Sequence, residues 1–318
     1  MGSQTTSEVF QSFLSYCNGK KIAIATHSRA DADALASAFA ISRILPGSTI
    51  CTSEEMGEGA RMLAERLGIR TEDIAELDKK KFDGLVVVDT SAYTLLPEAK
   101  GWKLICIIDH HRSEGRDMKA EFEIVDPDSP SAAEIVASLL PSIDKDVAFA
   151  LCTGIIADGA RFKSARANTF TTLGRLMGIA KADYHELLEI AEPEPSQEAK
   201  IAILTAMKRV DFVYAAGYVI ATSEVGSKES DAASLMVEAA DVAFVANWKN
   251  ETKETRISAR AAKNVKVGLN KVMSAVADEL GGAGGGHAKA AGAALKARSQ
   301  ESLKKCVEIF ISMAERAE

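Results

Sequence analysis

Three apolar segments of this 318-residue chain run directly into side chains of the types that can ligate metal ions. Lys21–Thr26 (KIAIAT) leads into His27-Ser28-Arg29-Ala30-Asp31-Ala32-Asp33, Gly84–Val88 (GLVVV) into Asp89, and Lys103–Ile108 (KLICII) into Asp109-His110-His111. In a parallel α/β sheet, ligands gather beyond the carboxyl ends of the strands, so all three groups would open onto one crevice. One imidazole and two carboxylates in the loop His27–Asp33 concentrate negative charge that calls for a cation, and Asp31 is also placed to N-cap the helix that follows. Asp89 by itself is only a carboxylate at a strand end, the usual place of a turn former. Asp109, His110 and His111 are consecutive, so they cannot all reach one ion. The expected division is that one histidine ligates, the other faces substrate, and Asp109 orients a histidine by accepting its second ring proton. Asp158 ends the apolar run Cys152–Ala157, where a negative charge at a helix carboxyl end invites a compensating cation.

These residues need a scaffold, and the pattern of the chain supplies one. From Lys20 to about Ala160, short β-branched runs alternate with helical spacing, the signature of parallel strands joined by crossover helices. Expected strands are Lys21–Thr26, Ser48–Thr52, Gly84–Asp89 and Lys103–Ile108, several of them continuously apolar and so buried on both faces. Helical spacing covers Asp31–Leu45, Gly59–Leu67, Ser131–Leu140 and most of Asp144–Ile190. Ser131 and Glu134 have the spacing of a capping box. Ala191–Ser196 (AEPEPS) has the composition of a boundary. The chain is therefore read as a first domain over residues 1–190, a linker at 191–199 and a second domain over 200–318. The fold class is α/β, with an N-terminal, mostly parallel sheet flanked by helices. The smaller C-terminal domain is α+β, read as helix, strand pair, helix, two strands, helix, glycine-rich loop and C-terminal helix.

Composition narrows the function. With 47% hydrophobic and 26% charged residues the chain is globular, and its formal net charge of −7 argues against a broad basic surface for long nucleic acid. The five cysteines are scattered, with no Cys-x-x-Cys pair, and read as reduced packing residues. No segment reaches the length of a membrane span and no secretory signal is evident, so no membrane partner is expected and the cytoplasm is the expected compartment. Met1–Thr6 fits the loose N-myristoylation pattern. His185 sits on a charged helix face and reads as a surface residue.

The ordered set His-x-x-x-Asp-x-Asp, strand-end Asp89, Asp109-His110-His111 and Asp158 resembles the DHH phosphoesterase superfamily. The resemblance continues in the second domain, where Gly284-Gly285-Gly286-His287 and the strand Thr255–Arg260 are similar to the DHH-associated C-terminal domain of the nanoRNase and RecJ-like group. The sequence departs from the family at Ala30, commonly proline, and at Ala36, commonly glycine. The resemblance implies two divalent cations, Mn²⁺ first and Mg²⁺ or Co²⁺ as substitutes, on a donor set rich in hard oxygen. It implies His27, Asp31 and Asp89 around one, and Asp33, Asp89, His110 and Asp158 around the other. Asp89, Asp109, His110 and His111 then form the catalytic group, and His111, Arg260, Gly285, Gly286 and His287 face the substrate. Glycines there would let successive amides form an anion nest.

Two such cations, about 3.5–4 Å apart, would lower the pKa of a shared water for attack on phosphorus. The expected substrates are short single-stranded RNA or DNA, linear or cyclic dinucleotides, or nucleoside 3′,5′-bisphosphates, bound by a monomer or homodimer. A pyrophosphatase-like enzyme is the first alternative, although its Ser-Arg-Lys-Lys motif is not found. A non-catalytic nucleotide-binding module is the second, against which stands the complete set of six candidate ligands.

Overall fold

The computed structural model describes residues 5–53, 56–111, 116–159 and 162–316; Gly2 of the myristoylation pattern lies outside them. The chain divides into two compact units, Met1–Glu194 and Pro195–Glu318.

The first unit begins with helix α1 (Thr6–Cys17) and strand β1 (Ile22–Ala25), followed by α2 (Ala32–Ile44), β2 (Thr49–Thr52), α3 (Glu58–Leu67) and the two-residue β3 (Glu72–Asp73). Then come β4 (Gly84–Val88), β5 (Leu104–Asp109), β6 (Phe122–Val125) and the helices α4 (Ala132–Leu139), α5 (Lys145–Asp158), α6 (Ala167–Ala180) and α7 (Tyr184–Ala191). The strands form one parallel sheet in the order β3-β2-β1-β4-β5-β6. That is the doubly wound order, whose direction reverses between β1 and β4, and the crevice at such a reversal is where α/β sheets bind ligands. Strands β1, β4 and β5 are buried at every position. Alternate residues enter two cores. Ile22, Ile24, Val86, Val88 and Ile108 pack under the helices, while Ala23, Ala25, Val87 and Ile107 meet Leu96, Trp102 and Met118 from connecting segments.

Helices α2 and α5 make the tightest crossing in the unit, and Gly154 is the reason they can. A Cβ at Gly154 would stand 2.9 Å from Ala133 Cβ, 3.0 Å from Asp33 Oδ1 and 3.1 Å from Ala36 Cβ. The alanine at position 36, where the family commonly has glycine, is thus accommodated by a glycine on the facing helix.

The second unit comprises α8 (Gln197–Lys208), β7 (Asp211–Ala215), β8 (Tyr218–Glu224), α9 (Glu229–Met236), β9 (Val242–Lys249) and β10 (Glu254–Ala261). It ends with α10 (Leu269–Leu280), β11 (Gly282–Gly286), β12 (Ala290–Leu295) and α11 (Ser299–Glu315). Its sheet runs β11-β12-β10-β9-β8-β7, antiparallel except for the parallel pair β8–β9. Ala216 and Gly217, both at positive φ, close the β7–β8 hairpin as a two-residue turn. Helices α10 and α11 cover one sheet face, α8 and α9 part of the other.

The expected glycine-rich loop is instead a strand. Gly282–Gly286 pairs antiparallel with β12, a strand that the alanine-rich Ala290–Leu295 does not advertise. A Cβ on Gly284 would overlap the Met273 carbonyl oxygen of α10, so this glycine serves helix–strand packing. Extended backbone sends successive amides to opposite sides, so no anion nest forms along it. The five cysteines are buried and free, and no helix among the described residues is long and apolar enough to cross a membrane.

Gly154→Ala is expected to cost about 1–3 kcal/mol by overpacking, despite the better helix propensity of alanine. Urea denaturation reads this. Addition of Ala36→Gly, which removes one of the three contacts, should recover part of the loss in a double-mutant cycle.

Candidate active site

Asp89 is the residue around which the others gather. It ends β4 with a φ of 60°, in the left-handed region that aspartate tolerates better than most residues. Its amide donates to the Ile108 carbonyl (2.8 Å), which holds the turn against β5. The residue is 2% exposed, and Oδ1 is buried without a hydrogen bond. Two imidazoles face it: His27 Nε2 is 3.5 Å from Oδ2 and His110 Nε2 is 3.3 Å from Oδ1.

The neighbouring carboxylates are placed by helix ends. Asp31 caps α2, its Oδ1 accepting from the Ala34 amide (3.0 Å), while Oδ2 lies 4.0 Å from His27 Nε2. Capping and ligand placement use different oxygens of the same carboxylate. Asp33, fully buried in the first turn of α2, accepts from the Ala132 amide through Oδ2 (2.7 Å) and the Ala133 amide through Oδ1 (2.8 Å). These are open donors of the α4 N-terminus, where the helix dipole favours negative charge. Ser131 caps the same helix through the Glu134 amide (3.0 Å), one arm of the expected capping box. Asp158, the last residue of α5, lies 3.1 Å from His110 Nε2.

Asp109, His110 and His111 diverge as consecutive residues must. His110 Nδ1 meets the Ser129 carbonyl (3.2 Å), which fixes a proton there and leaves Nε2 as the nitrogen that faces Asp89 and Asp158, donating to them while no cation is bound. His111 turns toward solvent, its amide and Nδ1 both donating to Asp109 Oδ1 (3.0 and 2.8 Å). The histidine that Asp109 orients is therefore His111. Behind Asp109 lies a chain of contacts that sequence reasoning missed. Ser91 donates to Asp109 Oδ2 (2.5 Å), Arg116 Nε donates to Ser91 Oγ (3.0 Å), and Arg116 Nη2 pairs with Glu123 (3.0 Å). Ser91 could have been suspected from its position two residues after a strand-end aspartate; nothing in the spacing marks Arg116.

Without cations the cluster is electrostatically unbalanced. Burial drives the Asp31 carboxyl up, with Asp89 adding to it, to about 6. Burial and the charges of Asp89 and Asp158 push Asp33 well above the usual range. Burial opposes charge on His110, but Asp158 and Asp89 outweigh it and raise its pKa to about 11. Asp89 resists its own burial because His110 and His27 hold it at about 2. Three groups of these side chains bring ligand atoms within 4.8 Å of one another: His27/Asp31/Asp89, Asp33/His110/Asp158 and Asp89/His110/His111. The hard-oxygen and imidazole donor set and the orphaned Asp89 oxygen fit divalent cations.

The second unit carries the other expected residues. Arg260 of β10 is held by Ser230 (2.7 Å) and Ser258 (3.3 Å), and burial lowers its pKa. It pairs in register with Ala290, whose carbonyl accepts from the His287 amide (2.8 Å), so Arg260 and His287 lie at the same end of the sheet. Gly285 and Gly286 belong to edge strand β11. His185 is an exposed residue of α7, 3.5 Å from Glu189.

The chain belongs to the DHH superfamily and carries its associated C-terminal domain: the DHH family, N-terminal domain, matches residues 21–155, and the DHHA1 domain matches residues 216–315. Members of this family are metal-dependent phosphoesterases. The chain is 29% identical over 316 residues to a protein of Methanocaldococcus jannaschii described as uncharacterized protein MJ0988, covering 94% of each. In fold it is similar to an exopolyphosphatase-related protein from Bacteroides fragilis (TM-score 0.76, 16% identity, 97% of each chain). It is also similar to exonuclease RecJ bound to manganese (TM-score 0.56, 14% identity, 99% of this chain and 96% of that one).

The pKa shifts set a sign. Asp31 binds its proton more tightly folded than unfolded, so its contribution is fully present below about 4 and is lost as pH rises from there to about 6. The raised His110 pKa acts in the same direction. The metal-free protein should lose melting temperature as pH rises from about 4, and Asp31→Asn should flatten the part of that slope between about 4 and 6, leaving the part above it to His110. Added Mn²⁺ should raise the melting temperature more at high pH than at low, because cations and protons compete for the same atoms.

Proposed function

We propose that the protein is a manganese-dependent phosphoesterase that hydrolyses short oligonucleotides or small nucleotides. His27, Asp31 and Asp89 hold one cation; Asp33, Asp89, His110 and Asp158 hold the second. The single observation that carries this reading is the buried Asp89 carboxylate, with one oxygen toward His27, the other toward His110, and no hydrogen bond to Oδ1. When bound, the cations supply Lewis acidity to a water and to phosphate oxygens.

The chain's own residues do the rest. His110 keeps its Nδ1 proton on the Ser129 carbonyl, so Nε2 is the nitrogen that would face a cation once its own proton is displaced. His111 is raised in pKa by its bond to Asp109, and its Nε2–H is free to donate to a phosphate oxygen or to the leaving group. Ser91 and Arg116 fix the Asp109 carboxylate so that this imidazole holds one orientation. Arg260, pinned by two serine hydroxyls, offers a preorganised fork of donors to a phosphate, and His287 a second donor at the same sheet end. The net charge of −7 favours small or short substrates over long strands.

The test is hydrolysis of a panel with Mn²⁺: a short RNA oligomer, a linear and a cyclic dinucleotide, a 3′,5′-bisphosphate and pyrophosphate. Cleavage of a nucleotide that is lost in Asp89→Asn, a variant that tolerates the same backbone, is the expected result. Cleavage of pyrophosphate alone, or binding without turnover, would overturn it. In the active enzyme Ser91→Ala should lower kcat about 10–100-fold. Mn²⁺ affinity should be unchanged, because Ser91 touches no proposed ligand.

A further inference from the structure

Of the nine exposed large apolar side chains among the described residues, all but Phe170 and Leu235 fall between Ile201 and Tyr214. Helix α8 buries Ala199, Ala202 and Ala206 against the sheet, yet its outward positions are Ile201 and Leu204, 60% and 66% exposed. Ile201, Leu204 and Met207 form a second apolar stripe at helical spacing on its outer side, and an exposed stripe of that kind is one that expects cover. The strand after it, β7, is the last strand of its sheet and pairs only with β8. Phe212 and Tyr214 stand 69% and 72% exposed on it. Their register partners Ala221 and Val219 place both on one face, and Ala221 shares a core with Ala206, so that face is the one α8 occupies. Val213, opposite Ile220, points to the other face, where it borders a groove with Leu303 and Val307 of α11.

We propose that β7 pairs antiparallel with β7 of a second copy of this chain, joining two six-stranded sheets into one across a two-fold axis centred on Val213. Three observations select a second copy as the occupant. The first is self-complementarity. In that register Phe212 of each copy lies opposite Tyr214 of the other, giving two aromatic cross-strand pairs, and Val213 meets its own counterpart. The open edge groups, the Tyr214 amide and the Phe212 and Tyr214 carbonyls, are satisfied at the same time, while the Phe212 amide exchanges its Asp211 carboxylate (2.9 Å) for a partner carbonyl.

The second is charge. A two-fold axis through the sheet sets the two α8 helices antiparallel, which brings Glu198 in the first turn of one toward Lys208 in the last turn of the other. The third is area. On the α8 side the six exposed side chains from Ile201 to Tyr214, Val213 excluded, present on the order of 700 Å², close to the share one partner contributes to a standard stable interface and more than the usual apolar patch of a monomer. The strand carries little of the charge by which solitary edges avoid pairing: Asp211 is its one ionisable carboxylate, and Phe212, Val213 and Tyr214 follow without interruption.

Sedimentation velocity of the full chain at micromolar concentration should give a dimer. Phe212→Thr/Tyr214→Thr, which keeps strand-forming residues on an exposed edge, should raise the dimer dissociation constant by about 100-fold or more while leaving the far-ultraviolet circular dichroism unchanged. Val213→Cys provides an independent reading. Antiparallel partners lie about 4.5–5.5 Å apart at Cα, within reach of a disulfide, and the native cysteines are all buried. Mild oxidation should therefore give a covalent dimer that reductant reverses, with Ala216→Cys uncrosslinked. A monomeric wild-type chain, or a dimer that survives Phe212→Thr/Tyr214→Thr, would overturn the proposal. A dimer whose Val213→Cys form does not crosslink would overturn this register.

Discussion

Everything in the first unit depends on keeping Asp89 charged in a place where water does not reach it. A buried carboxylate without partners would take up a proton, and the structure prevents this by placing His27 and His110 on its two sides. The positive φ at Asp89 turns the side chain off the end of β4 instead of along it. That backbone state is held by the amide bond to Ile108 and by burial of β4 at every position. A fully parallel sheet with its reversal between β1 and β4 is what brings His27 and Asp89 side by side, and β5, next to β4, delivers Asp109, His110 and His111.

The same constraint explains the helices. Four carboxylates, Asp31, Asp33, Asp89 and Asp158, surround two imidazoles, an arrangement that repels itself when no cation is present. The protein offsets part of that repulsion with backbone dipoles. Asp31 caps α2, and Asp33 takes two amides at the start of α4. Asp158 is the exception, since it sits where the α5 dipole disfavours it, and His110 is its compensation. Gly154 belongs to this account because the absence of its Cβ lets α5 approach the Asp33 carboxylate.

How much of this was legible depended on whether chemistry and local pattern coincided. The parallel sheet could be read because β1, β4 and β5 are unbroken apolar runs, and each ends in the polar residues that mark a crevice. Asp109 could be assigned an orienting role, but which histidine it orients could not, since that turns on the Ser129 carbonyl, nineteen residues from His110 and silent in side-chain identity. Arg116 was invisible for a similar reason: its role arises from the parallel pairing of β5 and β6, which brings Glu123 and the segment before it up beside Ser91. The glycine run was misread as a loop because glycine signals turns by propensity, whereas here it answers a tertiary demand, the close approach of the α10 backbone to Gly284. Strand β12 was hidden by its alanines, which have room only for small neighbours and no β-branched signature.

The two edges of the second sheet carry opposite chemistry, and the difference follows from residue size. At β11 the edge is all glycine and alanine, at the sheet end that carries Arg260 and His287, and it offers little apolar area to another protein. At β7, five strands away, the edge carries Phe212, Val213 and Tyr214 beside the apolar outer face of α8. A single sheet with one bare edge and one aromatic edge would keep the proposed ligand end and the proposed pairing edge from competing for the same backbone groups. Pairing through β7 would leave the β11 edge and the sheet end with Arg260 and His287 open in both copies.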